Sequence, residues 1–222
     1  MNPGHFIIGD IHGCFLTFQA LLEHWQPKEE ILVCVGDYID RGNYSDKVYA
    51  LCRDLEKAYD DQVVFLKGNH ESIMIKHYKE GHNQLWLDHG GRGTVAQFDQ
   101  DEARLEAAAE WFDKRPLYYE SDQLFVSHAG LSETESPFEE DNPMGVVWSR
   151  SPLKKLEKLQ VHGHRPLRAH APQYTEASHS WNIDTGACYG FGLTALRVAS
   201  SGQTEWLFEP VNSLDTENKP PQ

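Results

Sequence analysis

The sequence predicts an α/β protein with a mixed, two-sheet core, and three observations carry that prediction. Short apolar runs alternate with helically spaced segments over the first third, the middle reads as helix, and the second half is rich in short strands. The 222 residues show no internal repeat, no low-complexity linker and no second composition regime. One domain over 1–211 is therefore expected, followed by a polar tail, 212–222, expected to be disordered.

Taken in order, HFIIG (5–9) is the first strand candidate and CFLTFQALLEHW (14–25) places apolar residues at helical spacing. ILVCVG (31–36) is a continuous apolar run rich in β-branched residues, as in a strand buried on both faces. SDKVYALCRDLEKAY (45–59) returns to helical spacing with Ser45 as the expected N-cap. VVFLKG (63–68) is the third strand, and a helix is expected from about Glu71, whose charge suits the N-terminal dipole. This βαβαβ order predicts parallel strands with helical crossovers. NQLWLDHGGRGTVAQF (83–98) and DEARLEAAAEWFDKR (101–115) read as helix, the first broken by glycines and the second closed by Pro116. LYYE, QLFVSHAG, KLQVHGH, HSWNIDTG, GLTALRV and TEWLFE are strand candidates, and PQYTEAS reads as a turn-like connection.

With 34 acidic against 20 basic residues the net charge is −14, which argues against nucleic-acid binding and against anionic membranes. No apolar stretch is long enough to span a bilayer, and MNPGHFIIGD lacks the features of a secretory signal. Cys14, Cys34, Cys52 and Cys188 are scattered without a CxxC pair, so a reducing, cytoplasmic setting is expected.

Polar residues follow each strand. GDIHG carries Asp10 and His12, GDYIDRG carries Asp37, Asp40 and Arg41, and GNHE carries Asn69 and His70. SHAG and HGH add His128, His162 and His164. Strands of an α/β sheet deliver their carboxyl ends to one edge, so these groups are expected to converge there. Asp10 and His12, two apart, point to one side in extended backbone. Asn69 and His70, adjacent, point apart, so one can hold a metal while the other faces substrate. The set Asp10, His12, Asp37, Asn69, His128 and His164 has oxygen and imidazole donors without thiolate. That is more than one ion needs, and it suits Mn, Fe or Zn better than Ca or Mg.

These motifs, in this order over residues 7 to about 186, resemble the phosphoprotein phosphatase family of metallophosphoesterases. The short chain, VVWSR and IDTG make it most similar to the small bacterial and phage lambda-type serine/threonine phosphatases. The resemblance implies the calcineurin-like fold, two mixed β-sheets packed as a sandwich flanked by helices. It implies two divalent ions, Mn foremost, with Asp10 and His12 on the first, Asp37 bridging, and Asn69, His128 and His164 on the second. It also implies His70 as general acid oriented by Asp40, Arg41 and Arg150 on the phosphoryl oxygens, and in-line attack by a metal-bound hydroxide.

The expected substrate is a phosphoserine or phosphothreonine protein or a small phosphoester. The alternatives are a dinucleoside polyphosphate hydrolase on the same fold and a non-catalytic phosphate-reading module. Glu71 stands where the family's dinucleoside polyphosphate hydrolases tend to have Asp, which tilts the reading toward the phosphatase. The SAPNYC-type loop of the eukaryotic enzymes is replaced by IDTGACYGFG, so no regulatory subunit is expected. His162 is read as a packed strand residue, and Gly90–Gly93 as either a substrate lip or a break between helices.

Overall fold

The computed structural model describes residues 3–216, whose strands divide between two five-stranded sheets. In the first, β1 (Gly4–Ile8), β2 (Glu30–Cys34) and β3 (Val63–Phe65) run parallel, with α1 (Phe15–Leu22) and α2 (Ser45–Tyr59) as crossovers. The helical middle consists of α3 (Asn69–Glu80), α4 (Gln84–Trp86), α5 (Arg92–Gln97) and α6 (Glu102–Asp113). The second sheet holds β4 (Tyr118–Glu120), β5 (Leu124–Ser127), β6 (Leu159–His162), β7 (Gln173–Thr175) and β8 (Ser180–Asn182), ordered β4-β5-β6-β8-β7. β9 (Gly192–Val198) and β10 (Thr204–Pro210) return antiparallel to the first sheet, giving β10-β9-β1-β2-β3.

Alternation along β1 separates two cores. Phe6 and Ile8 face the helices with Phe18, Tyr38, Phe65 and Phe112, while Ile7 faces the second sheet with Val33, Val126, Val161 and Leu196. All are essentially inaccessible, and each such side chain contributes about 1.5–3 kcal/mol relative to exposure. The sandwich brings β5 and β6, parallel to each other, beside the ends of β1 and β2. Gly163 N donates to His128 O at 2.9 Å, and His128 Nδ1 lies 3.2 Å from Val35 O just past β2.

Four local expectations change. α3 begins at Asn69, two residues early, because Gly68 is extended (φ −95°, ψ 176°) and Glu71 reaches back to the first amides. Tyr44, not Ser45, is the N-cap of α2; Ser45 begins the helix, and its buried hydroxyl accepts from Asp40 N at 3.1 Å. The supposed turn PQYTEAS contains β7, an edge strand with all three residues exposed, so it shows no buried face to read. The tail expected from 212 is packed as far as Thr216. Ser213–Asp215 forms a 3-10 turn, and fully buried Asp215 accepts from Leu16 N, Thr17 N and Thr17 Oγ1 at 3.1, 2.9 and 2.6 Å. Residues 217–222 lie outside the described residues.

Candidate active site

The site is assembled by loops that clip onto one another through the backbone. Ile11 N and His12 N both donate to Asp37 O, at 3.1 and 2.7 Å, and Gly42 N donates to His12 O at 2.7 Å. His12, Asp37, Asp40, Arg41 and His164 all adopt left-handed backbone, with φ between 48° and 70°. Such conformations cost free energy in non-glycine residues and persist where the surroundings fix them, as the clipped loops do here. Extended geometry therefore does not explain how Asp10 and His12 converge; the turn at His12 does.

Asp37 lies at the centre. Its Oδ2 is 3.4 Å from His12 Nε2, its Oδ1 is 3.5 Å from His128 Nε2, and Oδ1 accepts from His70 N at 3.0 Å. Asn69 Oδ1 is 3.0 Å from His128 Nε2 and 2.8 Å from His164 Nδ1, and those two nitrogens are 3.2 Å apart. His12 Nδ1 donates to Ile39 O at 3.0 Å and His128 Nδ1 to Val35 O at 3.2 Å, which leaves each Nε2 with its lone pair turned inward. Asp10 receives His164 N at 3.0 Å, and the missing side chain of Gly163 admits it, since a Cβ there would stand 1.8 Å from Asp10 Oδ1. All six predicted donors thus come together, every one but Asn69 buried.

The electrostatics of this cluster call for a cation. Burial, then Asp184 and Asp37, push Asp10 well above the usual carboxylate range. Burial opposes ionisation of Asp37 too, but His128, His70, His12 and Arg41 hold it well below that range. Burial lowers His128 against the pull of Asp37, and lowers His164 to about 3, so the His164 ring is a neutral donor of a lone pair. Around His128 Nε2 an imidazole nitrogen, an amide oxygen and a carboxylate oxygen face one another, and buried His164 Nε2 has no hydrogen-bond partner. Two sets of ligand atoms lie within 4.8 Å of each other, His12–Asp37–His70 and Asp10–Asp37–His128, with Asp37 in both. Divalent ions fit this donor set.

His70, although within reach of the first of these sets, differs from the other donors in its bond to Asp40, Nδ1 to Oδ2 at 2.7 Å, with both side chains buried. Burial lowers its pKa, while Asp37 and then Asp40 raise it, and the net direction is upward. Asp40 also accepts from Trp86 Nε1 (3.1 Å) and Thr94 Oγ1 (2.6 Å), so α4 and α5 position the dyad. Gly90, at φ 126°, permits this, because a Cβ would sit 2.7 Å from Asp40 Cβ and 2.9 Å from Arg41 N. Gly90 and Gly91 form a close-packed break between helices, whereas Gly93 is exposed within α5. Arg41 enters the site with NH1 2.7 Å from His12 Nε2, while Arg150 is exposed beyond His164. His162 is buried, with Nδ1 3.1 Å from Gly163 O, as a packed strand residue.

The roles of two residues escaped sequence reasoning. Glu71 is fully buried and accepts from Gly68, Asp37 and Tyr38 amides at 3.0, 2.8 and 2.8 Å, holding the GDYID turn. Its signal was present: with the helix starting at Asn69, Glu71 is the third residue, where Glu turns back on the first amides. Asp184, from IDTG, is buried against Asp10 and pushed up to about 7, chiefly by burial. Nothing local in the sequence marks that pairing.

Paired imidazole and carboxylate donors at one edge of a two-sheet sandwich, with a His–Asp dyad beside them, define a metal-dependent phosphoesterase. The chain belongs to the calcineurin-like phosphoesterase family, whose model matches residues 6–210. It is similar to bis(5'-nucleosyl)-tetraphosphatase PrpE [asymmetrical] of Bacillus thuringiensis, 29% identical over 86% of this chain and 89% of that protein. The PrpE of Halalkalibacterium halodurans is also 29% identical, over 86% and 88%. In fold it resembles a Saccharomyces cerevisiae serine/threonine phosphatase similar to human PP5, with TM-score 0.69 at 16% identity, covering 95% of this chain and 81% of that one. A protein assigned as a diadenosine tetraphosphatase gives TM-score 0.67 at 19% identity, covering 93% and 94%. The protein is a hydrolase of the metallophosphoesterase type.

Proposed function

We propose that the chain hydrolyses the phosphoanhydride bridge of dinucleoside polyphosphates, the reading that ranked second on sequence. The names and near-complete overlap of the curated relatives support it over the phosphoprotein reading. Glu71 does not oppose it, because its side chain accepts from three backbone amides and serves the turn that carries Asp37. A cytoplasmic setting, where nucleotides and reduced thiols coexist, goes with this substrate.

The observation that carries hydrolysis itself is the convergence of Asp10, His12, Asp37, Asn69, His128 and His164 beside the His70–Asp40 pair. The first three would hold one divalent ion and Asp37 with the last three a second, Mn being our choice among Mn, Fe and Zn. Such ions supply Lewis acidity and lower the pKa of water towards about 7. Arg41 and Arg150 neutralise and orient the phosphoryl oxygens. His70 protonates the leaving oxygen, and Asp40 keeps the proton on its ring until then. The dyad gives the site a proton donor, which a phosphate-reading module does not need.

The test is a substrate panel of diadenosine tetraphosphate, a phosphoserine peptide and p-nitrophenyl phosphate, with product analysis. The proposal expects kcat/KM for the dinucleotide to exceed that for the peptide by about tenfold or more, about 1.4 kcal/mol in transition-state binding. An asymmetrical cut divides a four-phosphate bridge into one and three, so mononucleotide and nucleoside triphosphate should appear together. Fast peptide turnover beside an uncut dinucleotide overturns it.

A further inference from the structure

Of the nine arginines among the described residues, four are ion-paired, four lie around the site, and exposed Arg53, on α2, donates to the Tyr49 hydroxyl at 2.8 Å. Arg92, Arg104, Arg115 and Arg197 are ion-paired with carboxylates. Around the site, Arg41, Arg150, Arg165 and Arg168 form no ion pair among the described residues, in a chain with 34 acidic side chains. Guanidinium groups left unpaired in so acidic a protein are available to an anion from outside.

Their arrangement is pairwise. Arg165 lies against Arg150, donating from NH1 to the Arg150 carbonyl at 3.0 Å. Arg168 lies over the Tyr189 ring at 4.4 Å, and Arg41 approaches the same ring at 5.7 Å. Each arginine expected to hold the scissile phosphoryl group therefore has a neighbour from the loop that follows His164. That loop is anchored: Leu167 N donates to Asp184 O at 2.9 Å, and Arg168 is held in left-handed backbone at φ 51°. Two of these positive charges suffice for the single phosphoryl of a monoester. The other two add positive charge beside that pair, which a longer phosphate chain can use.

We propose that Arg165 and Arg168 form a second anion subsite that binds the phosphates beyond the scissile one, selecting polyphosphates over phosphomonoesters. This rests on the phosphoanhydride reading above, and Tyr189 acts in it as the platform that positions Arg168. A polyphosphate bridge carries charge on every phosphoryl, so its binding depends on these residues while orthophosphate binding does not.

The experiment follows p-nitrophenyl phosphate turnover and measures competitive inhibition by inorganic tripolyphosphate, added as its Mg2+ complex, and by orthophosphate. In Arg165→Gln/Arg168→Gln the tripolyphosphate inhibition constant should rise about tenfold or more, while that of orthophosphate stays within about twofold. The single variant Arg168→Gln, which alters an exposed side chain, should move the tripolyphosphate constant in the same direction. Equal weakening of both inhibitors assigns the arginines to general attraction and overturns the subsite, as does no change in either. A wild-type chain that leaves dinucleoside tetraphosphate uncut removes the proposed function, while the two inhibition constants still decide for or against the subsite.

Discussion

Replacing Asp40 by Asn tests the division of labour around His70 with little change of shape. Asp40 is fully buried, and its oxygens take His70 Nδ1 at 2.7 Å, Trp86 Nε1 at 3.1 Å and Thr94 Oγ1 at 2.6 Å. Burial lowers the His70 pKa, and the charges of Asp37 and Asp40 more than offset it. A hydrogen bond to a charged group contributes about 1.5–3 kcal/mol, and one pKa unit corresponds to about 1.4 kcal/mol. Removing the Asp40 charge should therefore lower the pKa of the ring. An acid acts only while protonated, so turnover falls as pH rises through this pKa, and in Asp40→Asn the fall should begin at lower pH. The stability effect has the same sign. A raised folded pKa stabilises fully below the unfolded imidazole value of about 6.5, and that stability is lost as pH rises through the folded value. The assay is the pH–rate profile of kcat on p-nitrophenyl phosphate and on an alkyl phosphate, whose poorer leaving group needs the proton more. The alkyl ester should lose about 100-fold or more, and the nitrophenyl ester less. An unmoved pH limb with equal losses on both substrates would refute the assignment of His70 as acid.

Other perturbations probe the frame and the ions. Glu71→Gln replaces one of the two oxygens that accept from the Gly68, Asp37 and Tyr38 amides by an NH2 donor; a loss of about 1–3 kcal/mol should appear as a lower midpoint in thermal melting, and an unchanged midpoint would deny Glu71 its role. Gly90→Ala meets both a φ of 126° and a Cβ 2.7 Å from Asp40 Cβ, so it should lower stability by about 1–3 kcal/mol and cut kcat. Wild-type kcat in Gly90→Ala would free the dyad from α4 and α5. Chelator should abolish turnover on every substrate and Mn2+ should restore it, and chelator-resistant turnover rules out metal dependence.

Much of the site was legible because its residues follow strands directly, and parallel strands must deliver their ends to one edge. Asp10, Asp37 and His128 needed only that rule. What positions them was not legible, because it depends on contacts between residues far apart in sequence. Trp86 and Thr94 reach Asp40 from 46 and 54 residues away, and Asp184 reaches Asp10 from the far side of the chain. Arg41 stands beside the cluster with its guanidinium on the His12 lone pair, a contact that no spacing encodes. β7 was missed because an exposed edge strand has no alternating burial, and the packed turn at Asp215 because its partners, Leu16 and Thr17, lie at the other end of the chain.

The central claim is that Asp37 joins two ion sites while His70 joins neither. Metal content after loading with Mn2+ and desalting tests it directly, in wild type, Asp37→Asn and His70→Asn. About two ions per chain are expected in the wild type and in His70→Asn, and fewer than about half as many in Asp37→Asn. Loss of ions in His70→Asn, or full retention in Asp37→Asn, would contradict the account.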